Sequence, residues 1–186
     1  MSYFAAAVVR AADEWSAAEV SLADTADVED VADRLRDVDP AADVSLLFVE
    51  SDDSYLVILR LDAGEDLRVF GSDASFAEES RMGAILLGDL GQPAIEIEVE
   101  LAVPPADSTV DTEPDAAPIA PVAPAASAAV ASIDPAGDAD LLVDLGVPAT
   151  RLLQLCAHEG MLPSDITAEL CQVIGCGDEV EELREA

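Results

Sequence analysis

Two apolar windows open the chain, Tyr3 to Arg10 and Trp15 to Leu22, separated by the turn-like Ala11-Ala12-Asp13-Glu14. This predicts a β-hairpin. Val28, Val31, Ala32, Leu35 and Val38 then recur at spacings of three and four, which places them on one stripe of a helix and turns Asp30, Asp33, Arg34 and Asp37 toward water. Asp27 fits the N-cap of that helix and Pro40 stops it. Val44 to Glu50, Tyr55 to Leu61 and Leu67 to Gly71 read as three further strands, joined by the short connections Ser51-Asp52-Asp53-Ser54 and Asp62-Ala63-Gly64. Ser75-Phe76-Ala77-Glu78 has the form of a capping box leading into Met82, Ile85, Leu86 and Leu90, so a second helix is expected there. The resulting order, strand-strand-helix-strand-strand-strand-helix, predicts an α+β fold, an antiparallel sheet with helices packed on one face. Ile95, Ile97, Val99 and Leu101 alternate with Glu96, Glu98 and Glu100, the pattern of a half-wet strand or of an acidic lead into a proline-rich stretch.

Composition divides the chain into three. Residues 1–101 form the expected α+β domain. Residues 102–136 hold seven of the eleven prolines among alanine, serine and threonine, and are expected to be a disordered, acidic Pro/Ala-rich linker. Residues 137–186 form a C-terminal all-α region of short helices: one ended by Gly146 and Pro148, one around Leu152, Leu155 and Cys156, one from Ile166 to Ile174 before Gly175, and one carrying Val180 and Leu183. Proteolysis is expected to cut the linker first, and the two outer regions are expected not to share a core.

Charge narrows the partners. Forty acidic residues face eight arginines and no lysine, for a formal net charge of −32. A nucleic-acid binder needs a basic face to neutralise phosphates, so direct contact with tRNA or DNA is not expected. Basic proteins are the natural counterparts. The low-charge run Ala116 to Ile133 is interrupted by Pro118, Pro121 and Pro124 and is mostly alanine, so no membrane span is expected. The N-terminus lacks a cationic signal-peptide opening, and the three cysteines do not form a disulfide framework; both point to the cytoplasm.

Catalytic and metal-binding signals are weak. Cys156, His158, Cys171 and Cys176 are the nearest approach to a zinc set. Cys156 and His158 are two apart, so a helix points them away from each other, and no Cys-x-x-Cys occurs. Buried small residues are the better reading of the thiols. Glu96, Glu98 and Glu100 suit a solvated strand face better than a cation site. Neither a GxGxxG nor a GxxxxGK[ST] loop is present, and His158 is the single histidine. A zinc deaminase presents His-x-Glu and Pro-Cys-x-x-Cys. Here His158 adjoins Glu159 directly and Pro163 precedes Ser164, so the chain is not expected to be such an enzyme, or to use a metal or cofactor.

The ordered set Met1-Ser2-Tyr3-Phe4-Ala5-Ala6-Ala7, Leu46-Leu47-Phe48-Val49-Glu50, Arg68-Val69-Phe70-Gly71-Ser72-Asp73 and Gly137-Asp138-Ala139-Asp140-Leu141-Leu142 with Asp144-Leu145-Gly146 resembles the actinobacterial tRNA adenosine deaminase-associated protein family. Cys176 and the acidic helix after it match the family's usual ending. The resemblance implies association with the enzyme that makes inosine at the wobble position, and no catalytic residues of the chain's own. A deaminase that grips tRNA presents a positive groove, to which this chain is complementary in charge. The residues expected to meet it are Asp30, Asp33 and Asp37 on the first helix and Asp52 and Asp53 on a hairpin turn, with Glu179, Glu181, Glu182 and Glu185 on the terminal helix adding to the field. An apolar face around Leu141, Leu145 and Leu152 is the alternative contact. The rival reading is a small ligand-binding module or enzyme with a pocket between sheet and helices, drawing on Tyr3, Trp15, Tyr55 and Arg81.

Overall fold

A computed structural model describes residues 3–51, 54–88, 90, 134–158 and 160–185. Strands β1 (Tyr3–Ala11), β2 (Glu14–Glu19), β3 (Val44–Ser51), β4 (Tyr55–Asp62), β5 (Asp66–Gly71) and β6 (Ala136–Gly137) build one sheet in the order β2-β1-β3-β4-β5-β6. Every pairing is antiparallel. The first hairpin turns on two residues only, Ala12 and Asp13, both with positive φ (51° and 69°). That is the backbone twist that lets a two-residue loop follow the twist of its strands.

Successive strand residues point to opposite faces, and both faces are apolar. On one lie Ala7, Leu47, Val49, Val57 and Leu59, covered by Val31 and Leu35 of α1 (Val28–Val38), Phe76 of α2 (Ser75–Glu79) and Leu86 and Leu87 of α3 (Arg81–Leu87). Helix α1 begins as the spacing predicts: the Asp27 carboxylate accepts from the Asp30 N–H at 2.9 Å, and the Asp30 carboxylate accepts from the Ala26 N–H at 2.8 Å. The single helix expected after Ser75 is instead two. Ser80 is extended, and its hydroxyl, rather than that of Ser75, caps α3 by accepting from the Met82 and Gly83 N–H groups. The break folds α3 back on α2 so closely that a Cβ on Gly83 would lie 1.9 Å from the Phe76 carbonyl oxygen. Only glycine fits there.

The opposite face carries Val8, Leu46, Phe48, Ile58 and Phe70, and its cover comes from the end of the chain. After β6 and a 3-10 turn (Val143–Leu145), helices α4 (Ala149–Cys156), α5 (Pro163–Ile174) and α6 (Gly177–Glu185) follow, and Leu142, Leu152, Ile166, Leu170 and Val180 pack into the same cluster as the strand residues. The expectation of separate cores is therefore corrected: a sheet apolar on both faces needs two covers, and the local helices supply one. Ala136, placed in the linker by composition, pairs with Gly71 in the sheet. The strand pattern of Ile95 to Leu101 and nearly all of the expected linker lie outside the described residues.

Candidate functional site

The C-terminal cover is fastened to the sheet by ions as well as by apolar contact. Register sets Arg60 of β4 directly opposite Arg68 of β5, an unfavourable pairing of like charges. Carboxylates resolve it. Asp62 accepts from Arg60 Nε at 2.9 Å and from Arg68 at 2.7 Å. The 3-10 turn brings Asp144 against Arg60, at 2.7 Å on one oxygen, while Arg60 also donates to the Leu141 carbonyl and Asp138 lies 3.8 Å from Arg68. Arg60 is 4% exposed. Its bond to Asp144 raises its pKa against the opposing cost of burial, with Asp62 adding to the rise. The same bond lowers Asp144. Burial pushes Asp62 up, but the hydrogen bonds from Arg60 and Arg68 outweigh it and its pKa falls. This network anchors the C-terminal segment to the sheet.

Nearly every cation is used in this internal way. Arg10 lies over the Trp15 ring at 5.3 Å and Arg184 over Phe4 at 5.5 Å, with Glu50 as its ion partner. Arg34 donates to the Ser21 and Ala23 carbonyls, Arg36 to the Gly64 carbonyl and Asp33, and Arg151 to Glu169. Among the described residues only Arg81 makes no such contact. Apart from the surface pairs of Asp33 and Glu169, few cations remain to neutralise the acidic surface.

The residues expected to meet a partner fall into three groups. Asp33 and Asp37 are exposed on α1, whereas Asp30 is half-buried and occupied with the helix start. Asp52 and Asp53 lie outside the described residues. Leu141 and Leu152 are fully buried and Leu145 packs on the same cluster, so these leucines cover the sheet rather than face solvent. The four residues of the pocket reading separate too. Tyr3 and Arg81 line a cleft of about 270 Å³ with Leu22, Ser51 and Ser80. Tyr55 stacks on Phe76 at 4.7 Å and donates to Glu79, a bond that raises its pKa, while Trp15 packs on the C-terminal side of the sheet.

Cys171 and Cys176 are buried, Cys156 is half-buried and His158 is exposed. Burial pushes the Cys156 thiol up to about 11. The Cys171 thiol is raised first by its hydrogen bond with Cys176 and then by burial. Raised thiols are poor nucleophiles and poor ligands at neutral pH. Among the described residues no group of three or more His, Cys, Asp or Glu side chains is placed to hold a metal ion, and no helix is long and apolar enough to cross a membrane.

Fold and surface together define an acidic α+β protein whose charges are arranged for the surface and for one structural anchor. The chain belongs to the Rv3753c-like tRNA adenosine deaminase-associated protein family, whose model matches residues 3–177. No curated protein and no solved structure matches it.

Proposed function

We propose that the chain is a non-catalytic, cytoplasmic accessory protein that binds the tRNA adenosine deaminase through its acidic surface. The family description supports the partner. The observation that carries the mode of binding is the fate of the arginines: seven of the eight are occupied within the fold, so Asp37 and the exposed acids Asp178, Glu181, Glu182 and Glu185 of α6 face solvent with little cationic charge to offset them. Exposed charge of one sign acts mainly on association rate. The test is stopped-flow association of the purified chain with purified deaminase. Raising salt from about 50 to 500 mM shortens the screening length about threefold and is expected to slow capture by about an order of magnitude. A rate indifferent to salt would assign the acidic surface to solubility alone. The chain by itself is expected neither to shift tRNA on a gel nor to form inosine in an anticodon stem-loop.

A second reading rests on Arg81. A cation without an ion partner among the described residues, in a cleft beside Tyr3 and Ser51, suits a small anion with an apolar body. A thermal-shift screen of carboxylates and phosphates against wild type and Arg81→Ala tests it, and a shift that survives the substitution rejects it.

A further inference from the structure

Among the described residues, the outermost strand of the sheet has an open side. In β2 the pairing register and the two-residue turn make Glu14, Ser16 and Ala18 the residues that exchange backbone hydrogen bonds with β1, and the Val20 N–H donating to the Ala5 carbonyl at 2.9 Å continues the alternation. The N–H and C=O groups of Trp15, Ala17 and Glu19 therefore point away from the sheet. No element of the described residues pairs with them.

The two flanks of this edge are built differently but carry the same charge. On one face α6 lies against β2 with Asp178, Glu181, Glu182 and Glu185 exposed, and Trp15 and Ala17 rest on the apolar cluster beneath it. On the other, an open groove of about 390 Å³ runs beside the end of the strand, lined by Glu19, Val20, Ser21, Arg34, Asp37 and Val38. Arg34, the cation in that lining, is held by the Ser21 and Ala23 carbonyls, and Arg10 on the neighbouring strand is held over Trp15. Among the described residues, what remains for an incoming chain is Asp13, Glu14, Glu19, Asp37 and the exposed acids of α6.

We propose that the free edge of β2 is a docking site for an extended segment of a partner protein bearing lysine or arginine, which adds to the sheet as a strand beside β2. Backbone hydrogen bonds to Trp15, Ala17 and Glu19 supply the affinity, and the acids on either side select the sign of charge. An exposed edge invites any strand, including that of a second copy. Here a second copy arrives with a net charge of −32 of its own and the same acids around its edge, so self-pairing is repelled and a basic segment is not. The proposal rests on the reading that the chain binds a basic protein, and gives that reading a location and a geometry.

The probe is a fluorescent peptide of about ten residues alternating arginine and valine, at the upper end of strand lengths and long enough to span β2, titrated into the full chain. Amide hydrogen exchange by NMR is expected to show Trp15, Ala17 and Glu19 exchanging fast in the free protein and slowing about tenfold or more at saturation, while Ser16 and Ala18, already bonded to β1, change less. An analogue methylated on the backbone nitrogens of both the arginines and the valines keeps the charge and can donate to β2 from neither side. It is expected to bind about tenfold more weakly than the parent peptide, since it has lost the N–H groups that pair with the edge. Ala17→Pro, which blocks the edge without removing a bond to β1, is expected to weaken the parent peptide to a similar extent with an unchanged far-UV spectrum. Equal affinity for the parent peptide and the methylated analogue, or unprotected amides at Trp15, Ala17 and Glu19, overturns the edge site and leaves the deaminase reading to its own binding measurement. Protection by the peptide with no binding of the deaminase upholds the edge and removes the deaminase as its occupant.

Discussion

The two faces of the sheet are buried to the same degree by different kinds of chain. The face of Leu47, Val49 and Leu59 is covered by α1, α2 and α3, elements within a few tens of residues of the strands they protect. The face of Leu46, Phe48 and Ile58 is covered by α4, α5 and α6, reached only after the five long strands and residues 91–133 have passed. Local cover forms by amphipathic helices that lie close in sequence to their strands. Distant cover must close a long loop before its contacts return anything, and such closure has an entropic cost. The ionic anchor stands on the distant side: Arg60 and Arg68 on the strands meet Asp144 and Asp138 of the returning segment.

The strongest way to break the comparison is to remove the distant cover entirely. A chain ending at residue 133 leaves Leu46, Phe48, Ile58 and Phe70, all at most 1% exposed in the intact fold, open to water. Burying such a side chain contributes about 1.5–3 kcal/mol, and native domains hold only about 5–15 kcal/mol in reserve. The truncated chain is expected to aggregate, or to bind a hydrophobic dye and lose its near-UV signal. A soluble, cooperatively folding product would show that the local face alone sustains the sheet.

Legibility in the sequence divides along the same line. The stripe of Val31 and Leu35, the Asp27 cap and the five long strands could be read because each is a short-range pattern. The break at Ser80 could not, because Phe76, Glu78 and the apolar run beyond satisfy a single helix as well as two, and only the close approach at Gly83 decides. The association of Leu141 and Leu152 with the sheet was illegible for a different reason. An amphipathic helix shows that it has an apolar face and not what covers it, so these leucines read equally well as a partner surface. One signal did point to the contact. Arg60 interrupts the apolar run Leu56-Val57-Ile58-Leu59, and a guanidinium in a buried strand requires acids from somewhere. The acidic surface was read directly from composition, whereas the free edge of β2 required the register.

Arg60→Ala sharpens the comparison with a smaller effect. It leaves Asp144 and the Leu141 carbonyl without their donor and Asp62 with Arg68 alone, and because the acids left behind are partly exposed and can hydrate, the loss is expected to be about 1–3 kcal/mol. The loss is expected to fall on the distant side first. Cys171 and Cys176, both 0% exposed, should become labelled by a thiol reagent much faster than in wild type, while amide protection in α1 changes little. Equal loss of protection in α1 and α5 would mean that the two covers open as one unit.

The smallest effect separates charge from packing within the anchor. Asp144 is 56% exposed, so its ion pair with Arg60 is screened and Asp144→Asn is expected to cost only about 1 kcal/mol at pH 7. Its sign with pH is fixed by the direction of the shift. The bond from Arg60 holds the Asp144 carboxyl below its ordinary range in the folded protein, so its contribution is full above the unfolded-chain value of about 4 and is lost as pH falls through the depressed folded value. Repulsion among the other carboxylates of this −32 chain runs the opposite way and eases on acidification. Absolute stability therefore mixes two trends, but the exposed acids are common to both proteins and cancel in the difference. Urea denaturation of wild type and Asp144→Asn in parallel, from pH 7 downward, should give curves that converge at the acid end. A gap that stays constant with pH would show that Asp144 holds the C-terminal cover by the shape of its turn rather than by its charge.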